Sequence, residues 1–228
     1  MPASVIASAL LGAALGYPAR RLSGLYLALT TLGFLELVGI VIEEFPDYTG
    51  GIRGLKVAKP DIFGLTLQSN ASLYFFVFVL TMAAIVVGYN VQRSRYGRAF
   101  DAVRQSPFAA QALGIPVARV KVIAFSLNAA FAGFAGGLYA IFNGFISSDA
   151  LYWTASGDIL IMTMLGGAGT LIGPPIGAAV FLLMKNVASS YSEHWLTIIG
   201  VIFICCVMFF PGGIWGTVEK LRWGGARS

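Results

Sequence analysis

Few side chains in this sequence are of a type that does chemistry, and those few lie in apolar surroundings. Glu36 and Thr30 fall inside GLYLALTTLGFLE (24–36), Asn128 falls inside SLNAAFAGFAGGLYA (126–140), and Gly166, Gly167 and Gly169 interrupt an apolar stretch. Ionisable or amide groups at membrane depth mark a pathway or a contact between helices. A broken helix offers backbone groups and dipole ends to a cavity. Each of these candidate pathway residues also has a plainer reading. Glu36 lies within about 12 Å of Glu43 along a helix and could reach water from there. Asn128 could be interhelical glue, and the glycines could serve tight packing alone. Catalysis is not indicated, because no nucleophile–base pair stands out. His194 is the only histidine and lies in a loop, while Cys205 and Cys206 are neighbours in an apolar run. That arrangement supports neither a metal site nor a disulfide framework. No GxxxxGK[ST] stretch occurs, so ATP hydrolysis is not expected of this chain, and no cofactor is implied.

Composition says what must position these residues. Charged residues make up 11% of the 228, whereas about a quarter is usual in a soluble domain. The expectation is an all-α, polytopic transmembrane bundle with the lipid bilayer as its solvent. The formal charge of +5 raises nucleic acid as a partner. That partner is rejected, because the basic residues segregate by topology rather than forming a stripe on a soluble module.

Taken in order, the apolar run Val5–Tyr17 is a crossing only if residues 1–4 join it. No basic residue precedes it, which argues against a cleaved signal peptide. Leu22–Ile42 follows, then a turn-rich external loop over 46–70, then Ala71–Val91. The polar loop 93–121 comes next, and Val122–Phe142 leads out to a second external loop over 144–157. A divided stretch, Asp158–Leu165 and Ala178–Val187, flanks GGAGTLIGPPIG (166–177) and reads as a helical hairpin or a re-entrant pair. Trp195–Phe210 is the last crossing, for about six in all. Arg20, Arg21, the six basic residues of the loop, Lys220, Arg222 and Arg227 then share one side. Only Arg53, Lys56, Lys59 and Lys185 fall elsewhere, which makes the loop side cytoplasmic. Residues 1–217 are read as one transmembrane domain and 218–228 as a basic cytoplasmic tail.

The loop contains a helix with its start and stop written in. Ser106 can cap by accepting from backbone N–H groups, and Pro107 suits the first helical position. Gly114 is the left-handed terminator, and Pro116 prevents continuation. A helix of about two turns, Pro107–Leu113, follows, centred on Ala109, Ala110 and Ala112 with Phe108 and Leu113 as apolar contacts. So short a helix holds only when packed against its own crossings or against a partner.

From Gly24 to Gly216 the chain resembles the LivM-type permease subunits of branched-chain amino acid ABC importers. The resemblance rests on GLYLALTTLGFLE, TGGIRGL, GRAFDAVRQSPFAAQALGI, KVIAFSLNAAFAGFAGGLYA, SGDILIMTMLGGAGTLIGPPIGAA and FFPGGIWG, in that order. It implies a multi-pass protein of the cell inner membrane, partnered by a second homologous permease subunit, two ABC ATPase subunits and a periplasmic substrate-binding protein. It also implies that the loop residues Arg104, Ser106, Pro107, Ala109, Ala110, Leu113, Gly114 and Ile115 couple the permease to its ATPases. Two departures stand out. The chain is shorter than the family pattern, so one or more N-terminal crossings are expected to be wanting. The acid often found before the paired alanines is replaced by Ser106-Pro107-Phe108. A urea or short-amide permease of the same superfamily is an alternative, as is a structural membrane subunit without a pathway. An integral-membrane enzyme would need His or Asp pairs that the sequence lacks.

Overall fold

The computed structural model describes residues 2–20, 22, 24–51, 54–57, 61–62, 65–66 and 70–191, with scattered residues between 197 and 216. The expected last crossing Trp195–Phe210 is described only at isolated positions. Arg21, Arg53, Lys59, His194, Cys205, Cys206 and the tail 218–228 lie outside the described residues. Two compact units divide the chain, Met1–Tyr152 and Trp153–Ser228.

In the first unit the helices are α1 (Pro2–Ala19), α2 (Leu25–Glu44), α3 (Pro46–Thr49), α4 (Asn70–Arg93), α5 (Arg95–Gln105), α6 (Pro107–Ala112) and α7 (Val117–Asn143). Among the described residues, α1, α2, α4 and α7 are the four helices long and apolar enough to cross a membrane. They coincide with the first four crossings expected from the sequence. At 27 residues, α7 is about 40 Å long, beyond the roughly 30 Å of a hydrocarbon core. Its first turns carry Arg119 and Lys121, and α5 and α6 pack against this helix.

Small residues set the main helix pair. In α1, Gly12 and Gly16 lie directly on Phe125, Val122 and Ala129 of α7, and Gly133 of α7 faces Ser8. A Cβ at Gly12 would stand 2.8 Å from the Phe125 carbonyl oxygen. With no hydrophobic drive between helices in lipid, close approach of this kind supplies the van der Waals contact that holds them. On α7 the small residues Ala129 and Gly133 meet this face of α1, which carries the Gly12-x-x-x-Gly16 spacing.

The two loops assigned to the outside meet. Strand β1 (Leu55–Lys56) pairs antiparallel with β4 (Phe145–Ile146), Leu55 opposite Ile146. Strands β2 (Asp61–Ile62) and β3 (Leu65–Thr66) form a separate hairpin. The β1–β4 pairing requires the chain after α2 and the chain after α7 to emerge at the same end, as the charge pattern demands. Thr49 ties that end to α2, donating its hydroxyl to the Ile42 carbonyl at 2.6 Å and accepting from the Gly51 amide at 3.1 Å.

The described residues of the second unit include a helical hairpin, α8 (Trp153–Gly166) and α9 (Gly173–Tyr191). Both helices outrun the apolar segments read from the sequence. Trp153–Gly157, placed in an external loop, form the first turn of α8. Pro174 and Pro175 sit in the first turn of α9, where proline needs no helical donor. Lys185 of α9 pairs with Asp158 of α8 at 3.7 Å, both about two-fifths exposed.

Among the described residues, very little of either unit is buried. Leu165 and Phe181 form the hydrophobic cluster of the hairpin, and no residue of α2 is buried. Leu25 and Tyr26 are each 73% exposed. Water does not tolerate so much contiguous apolar surface, and a bilayer covers it without cost.

Candidate functional site

The loop between α4 and α7 is built from two capped helices. Ser94 closes the start of α5, its hydroxyl accepting from the Tyr96 and Gly97 amides at 3.2 and 3.4 Å. Helix α5 is amphipathic: Ala99, Phe100, Ala102 and Val103 turn inward, while Arg95, Arg98, Asp101 and Arg104 are exposed. This helix was not read from the sequence, although Ser94 and the 3.6-residue apolar period announce it. Arginines that set topology masked its inner face.

Helix α6 is the short helix foreseen. Ser106 accepts from the Ala109 amide at 3.3 Å, and Pro107 occupies the first turn. At the other end Gly114 has φ of 79°, the Gly114 amide donates to the Gln111 carbonyl, and the Ile115 amide donates to the Ala110 carbonyl, both at 3.0 Å. This pair of bonds is the Schellman terminator, which satisfies carbonyls that would otherwise be orphaned. Ala110 is only 2% exposed, facing the neighbouring helices of the loop. By contrast, Phe108 is 86% and Leu113 80% exposed. The two explanations offered for so short a helix thus divide by face: Ala110 packs within the chain, and Phe108 and Leu113 are left outward. Arg104, Pro107, Ala109 and Gly114 are exposed as well, and Ser106 and Ile115 are intermediate.

The candidate pathway residues do not converge. Glu36 stands exposed on α2, one turn from Ile40 and two from Glu43, beside a small cleft closed by Leu151 and Tyr152. It lies about 16 Å from the start of α2 and about 12 Å from its end, near mid-helix rather than at the outer rim. Thr30 turns its hydroxyl onto the Tyr26 carbonyl at 2.8 Å, so its polar group is satisfied within α2. Asn128 is exposed on α7, on a stripe that continues through Ala132, Ala135 and Tyr139.

Gly166 and Gly167 belong to the hairpin of the second unit and are buried, whereas Gly169 is exposed. A Cβ on Gly166 would collide with the Gly173 backbone, and one on Gly177 with the Met162 carbonyl. Gly167 has φ of 115°. Thr170 spans the turn, donating to the Gly167 carbonyl at 3.3 Å and accepting from the Gly173 amide at 3.0 Å. Gly213 approaches so closely that a side chain there would meet the backbone of Gly166 and Gly167. Two separated motifs, LGGAGT and PGGIWG, therefore share one contact. Among the described residues no cluster of His, Cys, Asp or Glu could hold a metal ion.

The family model described as branched-chain amino acid transport system / permease component matches residues 1–208. The high-affinity branched-chain amino acid transport system permease protein LivM of Salmonella typhimurium is 29% identical over 94% of this chain and 56% of its own length. LivM of Escherichia coli matches with the same identity and coverage. The autoinducer 2 import system permease protein LsrC of Klebsiella pneumoniae is 32% identical over 69% of this chain and 45% of its own. The chain spans about half the length of the curated relatives it matches. No solved structure matches it.

Proposed function

Because the chain belongs to the branched-chain amino acid transport system permease family, we propose that this multi-pass membrane protein is the permease subunit of an ABC importer in the cell inner membrane. In this reading it carries branched-chain amino acids, and ATP is hydrolysed in separate subunits. Its partners are a second homologous permease, two ATPase subunits and a periplasmic binding protein. Residues 1–217 act as one permease domain, with 218–228 as a cytoplasmic tail.

One observation carries the coupling part of the proposal. Helix α6 holds its shape through Ser106, Gly114 and the buried Ala110 while leaving Phe108 and Leu113 outward. Full burial of two such side chains is worth about 4 kcal/mol, enough to seat a helix in a groove on an ATPase subunit. ATP-driven closure of the ATPases would move α6, and the contacts of α5 and α6 would pass that motion to α4 and α7. Glu36 and Asn128, exposed on helices of membrane length, are offered to the translocation pathway or to the partner permease.

The choice of amino acid rests on the LivM relatives. A second reading, a permease for another small polar ligand, draws on the LsrC relatives, because LsrC of Salmonella typhi is 28% identical over 93% of this chain. Uptake of labelled leucine, labelled urea and autoinducer 2 should be measured with and without this subunit. Loss of leucine uptake alone is expected. Loss of either other uptake would move the assignment to that ligand, and no loss in any arm would remove the transport proposal.

A further inference from the structure

Two spans end on the loop side with the same pair of residues. At the end of α1 the guanidinium of Arg20 lies 3.8 Å from the centre of the Tyr17 ring. At the end of α4 the guanidinium of Arg93 lies 4.4 Å from the centre of the Tyr89 ring. Arg98 joins the second pair, donating from Nη1 to the Arg93 carbonyl at 3.2 Å. Both tyrosines are solvent-accessible, 62% for Tyr17 and 40% for Tyr89. Among the described residues neither stacked arginine is in an ion pair, and Asp101 is the only acid of the 93–121 loop.

Stacking has a chemical consequence. An arginine lying on an aromatic face loses side-chain freedom while its N–H fork stays in plane and free to bind. Tyrosine is at home at the depth of lipid headgroups, so the ring fixes the guanidinium there rather than in bulk water. A planar fork held at that depth matches a phosphate diester through two parallel hydrogen bonds. Its charge favours a headgroup of net negative charge over one whose own ammonium cancels the phosphate. A free anion would offer the same oxygens, but both pairs stand at the ends of helices that leave the bilayer, where the phosphates of lipids are fixed. The cleft between α4 and α7, lined by Leu80, Ala84, Val87, Leu127 and Phe131 among others, is wholly apolar. It offers nothing to tell one acyl chain from another, so any lipid preference must arise at the headgroup.

We propose that Tyr17–Arg20 and Tyr89–Arg93, the latter with Arg98, are headgroup clamps through which this protein selects anionic phospholipids on its cytoplasmic side. Each arginine near a charged surface contributes enough to change affinity several-fold, and two together about tenfold or more.

The test is lipid binding to the full chain in detergent, followed by native mass spectrometry. Phosphatidylglycerol should be retained about tenfold better than phosphatidylcholine of the same acyl chains. R20Q/R93Q should remove most of that preference, leaving only the share of Arg98. Y17L/Y89L, which keeps both charges, should lose about half of the preference on a logarithmic scale. Inorganic phosphate at millimolar excess should leave the bound lipid in place. The proposal is overturned by equal retention in the unmodified chain, by an unchanged preference in R20Q/R93Q or Y17L/Y89L, or by displacement with inorganic phosphate. It is also overturned if these variants keep the lipid preference but lose co-purification with an ATPase, since the arginines would then serve a protein partner.

Discussion

Two glycine–proline passages in this molecule do opposite things. At residues 106–116 a serine cap and a glycine stop define α6, and a Cβ on Gly114 would meet nothing within 4 Å. At residues 166–177 a threonine spans a similar break, but Gly166, Gly173 and Gly177 are pressed backbone to backbone. In the first passage glycine is needed for its φ. In the second, Gly167 again has a positive φ, but Gly166, Gly173 and Gly177 are needed for the side chain they lack. The two passages also differ in burial: the hairpin packs on its glycines, whereas α6 buries Ala110 and leaves Phe108 and Leu113 exposed.

The sharpest way to break this comparison is to fill the hairpin. Gly166→Val would force the α8–α9 backbones apart, and we expect a loss of about 3 kcal/mol or more, read as absence of folded protein from the membrane fraction. Normal yield and thermal stability would show that the crowding at 166–177 is not structural. Gly12→Leu addresses the α1–α7 contact in the same way. Here the colliding groups are the Ala129 Cβ and the Phe125 and Ser126 backbone, so relief requires one helix to move away from the other, and about 2 kcal/mol is expected in a thermal unfolding series. Ser106→Ala removes one cap from α6. It should cost about 1 kcal/mol locally and show as faster amide exchange at residues 108–113, with global stability almost unmoved.

These contrasts also show what could be read beforehand. The ends of α6 were legible because Ser106-Pro107 and Gly114-Ile115-Pro116 are local signals whose bonds close within a few residues. The first four crossings were legible because hydropathy acts residue by residue. The common emergence of the two outer loops followed from counting charges, and the β1–β4 pairing agrees with it. Non-local features were not legible. The answering glycines of α1, the Lys185–Asp158 pair and the meeting of Gly213 with Gly167 each join residues far apart in sequence. The face of α6 was also beyond reach, since a six-residue alanine-rich helix has no apolar period to orient it. Ala110 was therefore grouped with the docking residues, although its side chain is turned inward, and an Ala110→Arg change would test packing as much as docking.

The central claim is that α6 keeps a fixed shape in order to present Phe108 and Leu113 to an ATPase subunit. Co-purification of the ATPase with F108A/L113A, measured beside thermal stability of the permease, tests it most directly. Because both side chains are exposed, stability should move by less than about 0.5 kcal/mol. Association should weaken about a hundredfold or more, as the loss of two buried apolar anchors requires. Undiminished ATPase association with a normally stable permease would contradict the account.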